Sequence, residues 1–183
     1  MIDFESAVEV FHQGGIIAYP TEAVFGLGCD PDNQQALQDL LDLKQRPAEK
    51  GLILVAADYA QLLPYVDDKK IPQDRRFDIF SRWPGQVTWL LPKSSRVSSL
   101  LCGDSEYIAV RVPNFEPVRQ FCRLLEKPIV STSANLSGCQ PAVTAEQVRQ
   151  QFVDKAVFVL DHEVGGAAAP SNIYHGLTGK QLR

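Results

Sequence analysis

Six short apolar runs, each halted by a proline or a polar residue, constrain this chain most. They are Ile16 to Tyr19, Leu52 to Ala57, Val87 to Leu91, Ile108 to Val112, Ile129 to Ser131 and Val157 to Leu160. Runs of that length rich in branched residues read as buried strands. Between them the apolar period changes to that of a helix. Phe4, Ala7, Val8 and Phe11 predict a helix over 3–13, ended by Gly14-Gly15. Leu37, Leu40 and Leu41 mark a second helix, opened by a capping box of Asp32 with Gln35. Val118, Phe121, Cys122 and Leu125 mark a third, and Thr144 with Gln147 opens a fourth. Strands interleaved with helices predict an α/β domain with a largely covered mixed sheet. The hairpin-like spacing between Trp83 and Val112 argues against a purely parallel one. At 183 residues, 45% hydrophobic, one domain over 1–183 can bury an adequate core.

Charge narrows the function classes. The net charge of −4 makes any attraction to nucleic acid a matter of a local patch. Cys29, Cys102, Cys122 and Cys139 show no C-x-x-C spacing, and His12, His162 and His175 are scattered, so a zinc cage is not expected. Neither a signal peptide nor an apolar run near membrane-spanning length is visible, and reduced cytoplasmic thiols are expected. No G-x-x-x-x-G-K-S/T occurs, and no G-x-G-x-x-G follows a strand. A nucleotide site here must therefore be built differently.

Two segments offer such a site. Lys44-Gln45-Arg46-Pro47 places two cations at a helix end, because Pro47 disfavours continuing the helix. An isolated K-x-R is more often a helix end complementing the macrodipole. Here, however, a short loop ending in Lys50 runs straight into a buried strand, a placement suited to holding charge over a cleft. Both Lys44 and Arg46 are expected near the surface of that cleft. The second segment is Ser131-Thr132-Ser133-Ala134-Asn135-Leu136-Ser137. Its hydroxyls and amide exceed what a turn requires, and such groups fix a polyanion without adding charge. Ser133 lacks a G-x-S-x-G setting, which argues against a serine hydrolase.

Three further places are compatible with function. Pro20 stops the first strand and leaves Thr21 and Glu22 at its carboxyl end, where α/β proteins place ligands. Trp83-Pro84-Gly85-Gln86-Val87-Thr88 is a turn feeding a strand, either a hydrophobic plug or a ligand wall. Arg111 shares a strand face with Ala109, opposite Val110 and Val112. That pattern leaves both a surface position and an anion partner open.

Taken together, YPTEAVFGLGCDP (19–31), LKQRP with KGL (43–52), RWPGQVT (82–88), IAVRVP (108–113), STSANLSG (131–138) and PSNI (170–173) resemble the YrdC-like family. In particular the chain is similar to its short bacterial threonylcarbamoyl-AMP synthases. The resemblance implies a twisted mixed sheet flanked by helices, with a concave basic cavity. It also implies that L-threonine, bicarbonate and ATP, with Mg²⁺ accompanying the nucleotide, become L-threonylcarbamoyl-adenylate and pyrophosphate. Separate transferase proteins would then modify adenosine 37 of ANN-decoding tRNAs. By the same resemblance Lys44 and Arg46 would be catalytic and hold the ATP phosphates. Ser133, Asn135 and Arg183 would contact the nucleotide, while Thr21, Arg111, Ser131 and Ser171 would line the threonine pocket, Arg111 facing the carboxylate.

The chain departs from the pattern in places. Val55 stands roughly where many longer relatives carry a histidine, Asn172 follows Ser171 where members often have a threonine, and Tyr107 stands where some have a threonine. Two alternatives compete with the synthase reading. One is a non-catalytic module that grips tRNA or double-stranded RNA during RNA maturation. The other is the homologous portion of hydrogenase-maturation carbamoyltransferases, against which the lack of their accompanying zinc-finger and acylphosphatase-like regions counts.

Overall fold

The computed structural model describes all residues, 1–183. Its strands are β1 (Ile16–Pro20), β2 (Phe25–Gly28), β3 (Ile53–Val55), β4 (Val87–Pro92), β5 (Tyr107–Arg111), β6 (Ile129–Ser133), β7 (Val157–Val159) and β8 (Asn172–His175). They form one sheet in the order β7-β1-β2-β6-β3-β5-β4-β8. The β1–β7, β3–β5 and β4–β8 pairs are parallel, and the remaining four are antiparallel. The expected mixed sheet is present, and every predicted apolar run contains a strand.

Seven helices flank it: α1 (Phe4–His12), α2 (Gln34–Lys44), α3 (Tyr59–Leu62), α4 (Gln73–Ser81), α5 (Ser99–Cys102), α6 (Glu116–Leu125) and α7 (Ala145–Gln151). Strand alternation splits the core between the two sheet faces. Ala18, Leu27, Leu54, Val110 and Val130 join the larger cluster with Leu37 and Leu40 of α2. Ile17, Tyr19, Val55 and Ile129 point the other way, against Ala7 and Phe11 of α1 and Phe121 of α6. Val55 is thus a core residue, 3% exposed.

Helix entry corrects one expectation. Asn33, not Asp32, caps α2, its side chain accepting from the Ala36 N–H at 3.0 Å. Asp32 is occupied elsewhere. It accepts a forked pair from Arg96 at 3.1 and 2.7 Å, together with Lys127 at 2.6 Å and the Tyr65 hydroxyl at 2.8 Å. Despite partial burial, those donors hold its carboxyl well below the usual range. Thr144 caps α7 as expected. All four cysteines are free, and burial pushes the Cys29 and Cys122 thiols up to about 12. No helix is long and apolar enough to cross a membrane.

Candidate functional site

While α1 and α6 cover one half of a sheet face, the other half is open. There the alternation that buries Val55 and Ile129 brings Ile53, Arg111, Ser131 and Ser133 to a cleft. Thr21, Arg46, Thr132, Ser171 and Arg183 complete its polar lining, and no aspartate or glutamate is among the lining residues. The cleft holds ≈ 740 Å³ including its open mouth, a small-molecule size. Gly26 of β2 forms part of its floor. A Cβ there would meet Ser131 Oγ and the Tyr19 ring, each at 3.2 Å, so glycine lets β2 and β6 stay close beneath the cleft.

The K-x-R divides into two unlike halves. Lys44, the last residue of α2, is 8% exposed and lies behind the cleft wall, contrary to the surface position expected of it. Its ammonium donates to the Ser133 carbonyl at 2.7 Å and to the Asn135 carbonyl and Oδ1, each at 2.8 Å. All three protons are therefore committed to the S-x-N segment. Burial, then the neighbouring Arg46, lowers its pKa to about 8. Gln45 takes a left-handed conformation at φ 49° and turns the chain so that Arg46 reaches the cleft. The Arg46 guanidinium rests on the Gly51 carbonyl through Nε at 3.2 Å and Nη2 at 3.0 Å, with Nη1 unbonded within the protein. Burial and the nearby Arg183 both lower its pKa. Lys50 is exposed and does not line the cleft, so the third cation expected there is absent from it.

Asn135 is fully occupied. Its Oδ1 also accepts the Ser133 hydroxyl at 2.6 Å, and its Nδ2 donates to the Leu136 and Cys139 carbonyls at 3.1 Å. Since Ser133 gives its proton away, it offers lone pairs to the cleft, not a donor. Thr21 is the same: its hydroxyl donates to the Val24 carbonyl at 2.6 Å. Ser171 differs, since its Oγ lies 2.8 Å from Thr88 Oγ1 on β4, and Thr88 is fully buried.

Arg111 carries a partner that its strand pattern did not reveal. Its Nη2 donates to Glu22 Oε1 and both side chains are 10% exposed. Burial raises the Glu22 carboxyl and lowers Arg111, while the pair opposes both shifts. The turn before β4 helps, with Arg111 Nε 3.4 Å from the Gly85 carbonyl. Nη1 makes no hydrogen bond within the protein, and Arg111 lines the cleft. The open alternatives for this residue thus resolve to a buried position facing the cleft. The segment 161–171 is tied beside the cleft, its Gly165 and Ala167 N–H groups donating to the Thr21 and Glu22 carbonyls at 2.9 and 2.8 Å, and its Pro170 and Ser171 join the lining. Arg183 closes the far side, donating through Nη2 to the Ser171 carbonyl at 3.0 Å.

Seven of the nine residues proposed from sequence thus line one cleft, and Lys44 and Asn135 brace it from behind. Glu22 and Thr88 are what residue-by-residue carry-over missed. Their partners lie 89 and 83 positions away, so no local spacing exposes them.

Comparison with known proteins identifies the family. The Sua5, YciO and YrdC family model, described as "Telomere recombination", matches residues 9–183. A protein of Idiomarina loihiensis named threonylcarbamoyl-AMP synthase is 57% identical, covering 100% of this chain and 98% of its own. One of the same name from Serratia proteamaculans is 53% identical, covering 98% of this chain and 95% of its own. Among solved structures, P. abyssi Sua5 complexed with L-threonine superposes with a TM-score of 0.85 at 30% identity. That match covers 94% of this chain but 50% of the Sua5 chain, so this chain spans about half of it. E. coli YciO shares the fold, at TM-score 0.80 and 21% identity over 98% of this chain and 89% of its own. Fold, motifs and relatives agree: the chain belongs to the Sua5/YciO/YrdC family.

Proposed function

We propose that this protein is an L-threonylcarbamoyl-AMP synthase acting in the cytoplasm. The observation that carries the reading is one cleft holding both halves of the required chemistry. Arg46 and Arg183 line it beside Ser133, and Arg111, Thr21, Ser131 and Ser171 line it from the β1–β2 turn to β8. Threonine's amine and bicarbonate form a carbamate with loss of water. A carbamate oxygen then attacks the α-phosphorus of ATP, and the bond to the β-phosphate oxygen breaks to release pyrophosphate. The protein's task is to align the carbamate with the phosphorus and to stabilise charge on the leaving group.

Each residue has a part consistent with its hydrogen bonds. Arg46 offers its free Nη1 to the departing phosphates, with Arg183 nearby. Ser133 accepts from a donor on the nucleotide, since its own proton is spent on Asn135. Lys44 holds the S-x-N segment in shape and supplies a buried positive charge behind it. Arg111 receives the amino-acid carboxylate, and Thr21 accepts from the carbamate N–H or the threonine hydroxyl. Mg²⁺ enters as the ATP complex, held chiefly by phosphate oxygens and water. The product passes to transferase proteins that modify adenosine 37 of ANN-decoding tRNAs. Incubation with ATP, Mg²⁺, bicarbonate and L-threonine should yield L-threonylcarbamoyl-adenylate by mass spectrometry. Pyrophosphate should appear only when all are present; release independent of threonine overturns the proposal.

A further inference from the structure

Thr88 has no access to substrate, and its hydroxyl has one partner. It is 0% exposed, and Thr88 Oγ1 lies 2.8 Å from Ser171 Oγ with no other hydrogen bond. Ser171 is 4% exposed yet lines the cleft. One proton sits between the two oxygens, and burial decides whose it is. If Ser171 donated, the Thr88 proton would be left inside the protein without an acceptor, a cost that folded proteins avoid. Thr88 therefore donates, Ser171 accepts, and the Ser171 proton is left to point into the cleft. Sheet register places this pair beside the arginine: Thr88 faces Arg111 across β4–β5 and Ile173 across β4–β8.

We propose that Thr88 is a positioning residue that sets the hydrogen-bond polarity of the amino-acid end of the cleft, fixing Ser171 as a donor to a carboxylate oxygen. The inference rests on the synthase reading and adds to it how the substrate is oriented. Thr21 has spent its proton on Val24, so one end of the amino-acid site accepts. Ser171 and the free Nη1 of Arg111 make the other end donate. An α-amino acid then fits one way round, carboxylate toward β4–β8 and nitrogen toward the β1–β2 turn. An amide in place of the carboxylate sets its own NH2 donors against the Ser171 proton and the Arg111 Nη1.

The test compares L-threonine with L-threoninamide by calorimetry on wild type, Thr88→Val, Thr88→Ser, Ser171→Ala and the double variant Thr88→Val with Ser171→Ala, with thermal unfolding as a control for folding. Thr88→Val removes the donor and keeps the shape, so Ser171 becomes free to rotate and to accept. Threonine binding should weaken by about three- to tenfold, and discrimination against the amide should narrow by a similar factor. Thr88→Ser should behave as wild type, and Thr88→Val should add nothing in a Ser171→Ala background. Thr88→Ala, which adds no bulk, serves if valine is not accommodated. Unchanged discrimination in the folded variant, or an equal effect without Ser171, overturns the assignment while the synthase reading stands. A wild type that binds no L-threonine removes both.

Discussion

Lys44 grips Asn135 twice, through the main-chain carbonyl and through Oδ1, each at 2.8 Å. This joins the end of α2 to the loop after β6 and makes the cation a structural part of the site. Truncating a buried charged donor leaves its acceptors short, at about 2–3 kcal/mol. Lys44→Ala should therefore lower the Tm by roughly 5–10 °C as well as abolish most pyrophosphate release. Arg46→Ala, at a half-buried position where the guanidinium rests on the Gly51 carbonyl, should keep nearly the wild-type Tm. It should still lose about ten- to a hundredfold in turnover, the worth of a charge-assisted phosphate contact. Equal Tm losses in the two variants would contradict the division of labour.

The lowered pKa of Lys44 gives a pH signature. The neutral amine has two protons, so it cannot serve all three acceptors. Nucleotide binding should weaken as pH rises through about 8 and the ammonium is lost. A non-hydrolysable ATP analogue isolates this from carbamate chemistry, and its Kd should rise between pH 7 and 9.5. The stability consequence has the opposite sign. Because the folded pKa lies below the unfolded one, the unfolded chain binds more protons across that window. This group's contribution to stability thus rises with pH between about 8 and 10.5. A flat affinity profile over that range would show that Lys44 does not titrate there.

Arg111 and Glu22 should be coupled in stability. Removing one member of a buried pair leaves an uncompensated charge and costs about 3–5 kcal/mol, whereas replacing both is far milder. Arg111→Ala should lose threonine binding and also much stability. The double variant Arg111→Ala with Glu22→Gln should regain much of the stability and none of the threonine binding. Calorimetric and thermal measurements on the four proteins of this cycle decide the matter. Additive stability losses would mean that the pair contributes little.

Much of the sheet was legible because β1, β3, β4, β5, β6 and β7 lie in apolar runs. The strands β2 and β8 were not. Phe25–Gly28 carries two glycines, which weaken strand patterning, yet Gly28 sits where a Cβ would meet the Val130 carbonyl at 1.8 Å. In α4 the apolar period is faint, and Phe77 is 85% exposed. Asp32 read as a cap because local spacing cannot show that Lys127 and Arg96 claim its oxygens. The same limit hid the committed state of Lys44. Motifs revealed which residues gather at the cleft; hydrogen bonds across 89 or 91 positions determine what each still has to offer.

Side-chain selectivity follows from what the cleft presents. Its walls alternate hydroxyl oxygens of Thr21, Ser131 and Ser133 with apolar surface from Val24, Phe25 and Ile53. L-Threonine carries both a hydroxyl and a methyl, and in the proposed site each should meet a group of matching character. Losing a hydroxyl leaves polar groups of the site unpaired, which costs more than losing a methyl contact. Serine keeps the hydroxyl and should be a poor substitute, reduced by about ten- to two-hundredfold in kcat/KM. Alanine lacks both groups and should fall further still. Rates of pyrophosphate release with the three amino acids at equal concentration provide the comparison. Alanine turning over as fast as serine would show that no hydroxyl is recognised, and the selectivity argued from these walls would have to be abandoned.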